Sequence, residues 1–62
     1  MPFVTVKILE GRSPEQKKEI VKGVTKVVAD ACKTDQNAVH VFIEDLARDA
    51  YACGGILASD KK

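Results

Sequence analysis

Phe3-Val4-Thr5-Val6-Lys7-Ile8-Leu9-Glu10-Gly11-Arg12-Ser13-Pro14-Glu15-Gln16 changes its period halfway along. Its first seven residues are rich in β-branched side chains and alternate. Val4, Val6 and Ile8 share one face, and Phe3, Thr5, Lys7 and Leu9 share the other, which is the pattern of a strand. Glu10-Gly11-Arg12 interrupts it. Ser13 then offers a capping hydroxyl, Pro14 suits the first helical position, and Gln16 completes a capping box. A strand gives way to a helix within a few residues.

Beyond Gln16, the residues Ile20, Val21, Val24, Val27, Val28, Ala31 and Cys32 recur at three- and four-residue spacing and form one apolar stripe. Lys17, Lys18, Glu19, Lys22, Lys26 and Asp30 fall on the solvated side. The helix is expected from Pro14 to about Lys33. Gly23 inside it costs about 1 kcal/mol against alanine, and a close backbone contact there would account for it. Thr34-Asp35-Gln36-Asn37 reads as a polar loop. A second strand follows, with Val39, Val41 and Ile43 on one face and His40, Phe42 and Glu44 on the other. Asp45 to Asp49 is expected to turn, Tyr51 to Leu57 to form a short hairpin around Gly54-Gly55, and Ser59 to Lys62 to fray.

Strand, crossover helix and strand make a βαβ unit, so the fold class is α/β, with parallel strands, a right-handed crossover and a C-terminal hairpin. Residues 1–62 are read as one domain. One helix covers one face of the sheet and leaves Phe3, Leu9 and Phe42 on the other. A two-stranded sheet in that state is marginal in water, and a core of 62 residues leaves little margin of its own. Self-association is therefore expected.

Composition narrows the function classes. Ten basic and nine acidic residues are interspersed, which gives no electrostatic argument for nucleic acid or a membrane surface. The aromatics are Phe3, Phe42 and Tyr51, too few for a base-stacking platform. Two cysteines, Cys32 and Cys53, and one histidine, His40, do not have the spacing of a zinc site, and no metal or cofactor is expected. Without an apolar secretory segment or membrane-spanning run, the chain reads as a reduced, cytoplasmic protein. A Cys32–Cys53 disulfide is open on paper, but both residues read as structural thiols.

Chemistry is concentrated at the N-terminus. Methionine before a small residue such as Pro2 is a typical substrate for initiator removal, which would leave Pro2 with a free secondary amine. An α-amine titrates nearer neutrality than lysine. Desolvation and a nearby cation such as Arg12 would lower it further, giving a base suited to abstracting a proton next to a carbonyl. While Met1 remains, the same nitrogen is a non-basic amide. Taken alone, Met1-Pro2 reads first as a translation start with a strand-edge proline, and Arg12 as a solvated loop arginine.

The run from Pro2 to Ser13, followed by Glu15-Gln16-Lys17, resembles the start of the 4-oxalocrotonate tautomerase family. The resemblance extends through Val41-Phe42-Ile43-Glu44, Tyr51 and Gly54-Gly55. It implies a βαβ subunit pairing into a four-stranded dimer, three dimers forming a homohexamer, and N-terminal prolines lying in pockets shared between subunits. It implies too that the proline moves a proton from the oxygen to the carbon of a conjugated enol, the type substrate being 2-hydroxymuconate from aromatic catabolism. Pro2 matches the base, and Arg12 an arginine that reaches a substrate carboxylate from a neighbouring subunit, a role suited to a bidentate guanidinium. His40 stands where the type enzyme has a second arginine. It can donate one hydrogen bond but is neither permanently charged nor forked, so Arg48 or Lys33 of another subunit becomes a candidate to compensate. Tyr51 replaces a phenylalanine that keeps the proline environment apolar, and its hydroxyl can reach substrate or water.

Two other readings stay open. The same amine could serve hydration-type dehalogenation of an unsaturated acid, with Glu10 or Glu44 activating water. Alternatively, the βαβ subunits assemble for structural or regulatory reasons, without catalysis.

Overall fold

A computed structural model describes residues 1–61. Strand β1 (Phe3–Leu9) and strand β2 (His40–Leu46) lie parallel, joined by helix α1 (Pro14–Cys32). The register pairs Phe3 with His40, Thr5 with Phe42 and Lys7 with Glu44 on one face. It pairs Val4 with Val41 and Val6 with Ile43 on the other, the half-buried face that α1 covers. The expected βαβ unit is present. Strands β3 (Ala52–Cys53) and β4 (Ile56–Leu57) form the expected antiparallel hairpin.

The helix starts as its sequence dictates. Gln16 N–H donates to the Ser13 hydroxyl at 3.1 Å, and Ser13 N–H donates to Gln16 Oε1 at 2.8 Å. This reciprocal pair satisfies two backbone donors that would otherwise lack partners. The helix ends at Cys32, one residue before the expected limit. Lys33 takes the left-handed conformation (φ 55°) as its cap and donates its N–H to the carbonyl of Ala29.

Several expectations are corrected. Val27, Ala31 and Cys32 lie exposed, whereas Ile20, Val21, Val24, Val28 and the buried Ala29 face inward. At 100° per residue, Val27 and Ala31 fall on the flank of the stripe, and one narrow sheet does not reach them. Lys17 is not on the solvated side but half-buried, with its ammonium 2.6 Å from the Asp45 carboxylate. β2 runs on through Asp45 to Leu46, where a turn is expected from sequence, because its ladder with β1 continues to Leu9 and Glu10 N–H donates to the Leu46 carbonyl. Ala58–Asp60 forms a 3₁₀ turn rather than a frayed end, while Lys62 lies outside the described residues. No neighbouring atom within the chain lies close enough to require glycine at position 23. Cys32 and Cys53 are free and exposed. Among the described residues no helix is long and apolar enough to cross a membrane.

The chain is thin and long, 43 × 24 × 13 Å, with a radius of gyration of 14.6 Å. A compact domain of this length would have a radius near 11 Å. Its accessible surface of 4863 Å² exceeds by roughly 1,000 Å² that of a compact monomer of this mass. Phe3 is 66 % exposed and Phe42 54 %, both on the uncovered face of the sheet. The only buried hydrophobic residue among those described is Ala29. One copy of this chain is a sheet with a helix on one face and nothing on the other.

Candidate functional site

Chemistry-bearing residues gather at two opposite ends of the sheet. At the N-terminal end, Pro2 immediately precedes β1 and is half-buried, whereas Met1 projects into solvent. The parallel register places His40 beside this point. Its backbone N–H donates to the Pro2 carbonyl at 3.0 Å. Its imidazole stacks on Phe3, with ring centroids 4.9 Å apart and planes 16° apart. The Nε2 atom of His40 is buried and has no hydrogen-bond partner. An unsatisfied buried nitrogen costs about 1–3 kcal/mol. Lys33 caps α1 at this same end, since the crossover helix runs antiparallel to the strands.

The other end lies six strand steps away, roughly 20 Å at the usual rise per residue. Here Gly11, at φ 113°, turns the chain out of β1 in a backbone region that favours glycine, and Glu10 N–H donates to the Leu46 carbonyl at 2.9 Å. Arg12 follows, exposed and without a carboxylate partner among the described residues. Tyr51 leaves a short 3₁₀ turn, Arg48–Ala50, and is 44 % exposed. Its carbonyl accepts from Ala58 N–H at 2.8 Å, which closes the hairpin back on it. Gly54 and Gly55 make that closure with φ of 63° and 84°, as a two-residue hairpin turn with matching twist requires. Beneath Tyr51 lies an open cavity of about 330 Å³, lined by Leu9, Arg48, Tyr51, Cys53, Ile56, Ala58 and Lys61.

Of the residues singled out from sequence, one chain thus brings Pro2 and His40 together and leaves Arg12 and Tyr51 at the far end. Arg48, considered from sequence only as a compensating cation, shares the cavity of Tyr51. Its position just after β2 was the available signal. Glu44 stands on the open sheet face, 3.9 Å from Lys7, and Glu10 is exposed in the turn. Neither is held against Pro2.

The family model described as "Tautomerase enzyme" matches residues 2–61. The chain is 46 % identical over 61 residues to a "probable tautomerase" of Staphylococcus epidermidis, covering 98 % of this chain and all of the relative. Among solved structures it is similar to YwhB, a homologue of 4-oxalocrotonate tautomerase, with 43 % identity, a TM-score of 0.93, and coverage of 98 % of this chain and 100 % of that one. It is also similar to a heterohexamer 4-oxalocrotonate tautomerase from Chloroflexus aurantiacus, at 27 % identity and a TM-score of 0.94 over the full length of both chains.

Proposed function

The chain belongs to the tautomerase family, and on that premise we propose that it isomerises 2-hydroxymuconate-like dienols or enols of α-keto acids, with Pro2 as general base. The family makes it a tautomerase-type isomerase; the base, the substrate and the assembly are our reading. The observation that carries it is the placement of Pro2 against His40 at one end of the sheet, with Arg12 and Tyr51 roughly 20 Å away and an apolar face left bare between them. Such a chain can assemble a site only with the far end of another copy. The heterohexamer described for the Chloroflexus relative supports an assembly of this kind, and we read the present chain as a homohexamer built from three dimers.

The chemistry follows from the residue types. Removal of Met1 frees the Pro2 secondary amine, and burial between subunits disfavours its cation. The amine takes the proton from the enol hydroxyl. The electrons released on oxygen move into the conjugated system as the carbonyl forms, and the ammonium returns the proton to carbon. Arg12 of a neighbouring copy binds a substrate carboxylate through two charge-assisted hydrogen bonds and draws electron density along the conjugated chain. His40, with a ring nitrogen free of protein partners, donates to substrate oxygen. Tyr51 excludes water from the amine.

Pro2→Ala tests the reading. Alanine also presents a free amine, though a primary one, so some residual activity is allowed. Turnover of 2-hydroxymuconate and phenylenolpyruvate is expected to fall about a hundredfold or more, the usual contribution of a positioned base. Wild-type turnover in the variant would refute the assignment. Chloride release from haloacrylates at rates above those of tautomerisation would instead favour the hydration reaction.

A further inference from the structure

We propose that Lys17 and Asp45 are positioning residues: their ion pair fastens the start of α1 to the end of β2 and so sets where Arg12 stands. This rests on the reading of Arg12 as the residue that binds substrate, and adds what aims it.

Arg12 is exposed, and no ion pair or side-chain hydrogen bond among the described residues engages it. Its direction therefore comes from the backbone that carries it. That backbone is short, residues 10–13 between the end of β1 at Leu9 and the start of α1 at Pro14. Within it Gly11 has φ 113° and open space where a Cβ would stand, so local packing does not hold the loop there.

Two consecutive residues of β2 tie the two sides of this loop. Leu46 takes the strand side: it pairs with Leu9, and its carbonyl accepts from Glu10 N–H at 2.9 Å. Asp45 takes the helix side: its carboxylate accepts from the Lys17 ammonium at 2.6 Å. Lys17 belongs to the turn that opens at the last residue of the loop, since its N–H donates to the Ser13 carbonyl at 3.0 Å. The capping box cannot substitute, because both of its hydrogen bonds run between Ser13 and Gln16 and make no reference to the sheet.

The pair is placed by the fold. Asp45 continues the face of Val41 and Ile43, which α1 covers, at the two-residue step of a strand. The side chains of Lys17 and Asp45 are 33 % and 44 % exposed, against 66 % and 53 % for Lys7 and Glu44 and 69 % and 66 % for Lys26 and Asp30. Of the ion pairs among the described residues it is the shortest, the most sheltered and the one that joins helix to sheet. Shelter weakens screening by salt, and a charge-assisted hydrogen bond fixes distance and direction together.

Partly exposed pairs add little to stability, so the signature lies in substrate binding. Lys17→Met keeps most of the apolar stem, Asp45→Ala removes the partner, and Lys26→Met cuts the exposed Lys26–Asp30 pair as a control. In steady-state kinetics on 2-hydroxymuconate, Lys17→Met and Asp45→Ala are each expected to raise KM about three- to fivefold, the upper range for such a pair. Most of the loss should fall on KM rather than kcat, because a carboxylate anchor acts on ground state and transition state alike. Lys17→Arg, which keeps the charge, and Lys26→Met are expected to keep KM near the wild-type value. ¹⁵N relaxation of the Gly11 and Arg12 amides, on the same proteins without substrate, is expected to show lower order in Lys17→Met and Asp45→Ala alone. Unchanged KM in those two variants, an equal rise in Lys17→Arg or Lys26→Met, or amide order that matches the wild type would overturn the proposal. In a wild type that turns over no enol, the catalytic reading falls by itself, and the relaxation data alone sustain or overturn the role of the pair in holding Arg12.

Discussion

The imidazole of His40 lies against the ring of Phe3 with centroids 4.9 Å apart and planes 16° apart, while its Nε2 remains buried and unpartnered. The ring therefore fills two roles that can be separated. Stacked aromatic pairs contribute about 0.5–1.5 kcal/mol beyond burial, whereas an idle buried nitrogen costs about 1–3 kcal/mol. His40→Phe keeps the stack and removes the idle nitrogen. Its melting temperature, compared at fixed protein concentration, should equal or exceed that of the wild type. If Nε2 serves substrate oxygen, kcat/KM on 2-hydroxymuconate should at the same time fall about tenfold. Unchanged kcat/KM would reduce His40 to a packing residue.

The bare sheet face predicts how the copies hold together. Burying a phenylalanine contributes about 1.5–3 kcal/mol, and Phe42 is 54 % exposed in the single chain. Phe42→Asp should shift the protein to smaller species in sedimentation velocity, weakening association at least about tenfold per subunit contact. Activity should fall with the loss of assembly. Retention of the wild-type sedimentation coefficient would show that this face is not the interface.

Subunit mixing tests whether Pro2 and Arg12 act from different chains. Pro2→Ala and Arg12→Ala proteins are each expected to be nearly inactive. Co-refolded in equal amounts, they should regain about a quarter of wild-type activity, because random assembly in a symmetric oligomer returns intact pairs at that frequency. Were both residues drawn from one chain, no intact site could form and mixing would restore nothing.

The hairpin that holds Tyr51 depends on its turn. Gly54 has φ 63°, a left-handed conformation that costs other residues about 1–2 kcal/mol and that asparagine tolerates best. Gly54→Val should lower stability by about 1–2 kcal/mol and raise KM as Tyr51 loosens, whereas Gly54→Asn should change both little. Thermal melts and steady-state kinetics on the same preparations decide it.

Much of this fold is legible in the sequence because local chemistry and long-range packing agree there. Ser13 and Gln16 announce the capping box that forms, and the alternation from Phe3 to Ile8 assigns faces correctly because one face is covered and the other is not, whereas Leu9, expected on the bare face, is half-buried and lines the cavity of the hairpin. Once two parallel strands are granted, the register alone brings His40 to Pro2. What could not be read depends on atoms far along the chain. Asp45 stays in β2 because it pairs with Ile8 of β1, 37 residues earlier, and no local pattern announces how far that ladder runs. Val27 and Ala31 look like core because they are apolar at helical spacing, yet one chain supplies nothing to cover them. The site divides the same way. Pro2 and His40 are neighbours within a subunit, but Arg12 and Tyr51 stand at the other end of the sheet, and their relation to Pro2 is a property of the assembly.

The most direct measurement is an NMR titration of ¹⁵N-proline-labelled protein, purified from its native host, following the Pro2 nitrogen. The account predicts an amine that titrates below the ordinary range of an exposed chain terminus, because burial between subunits opposes its charge. A nitrogen that does not titrate, being still joined to Met1, or one that titrates as a fully solvated amine, would contradict it.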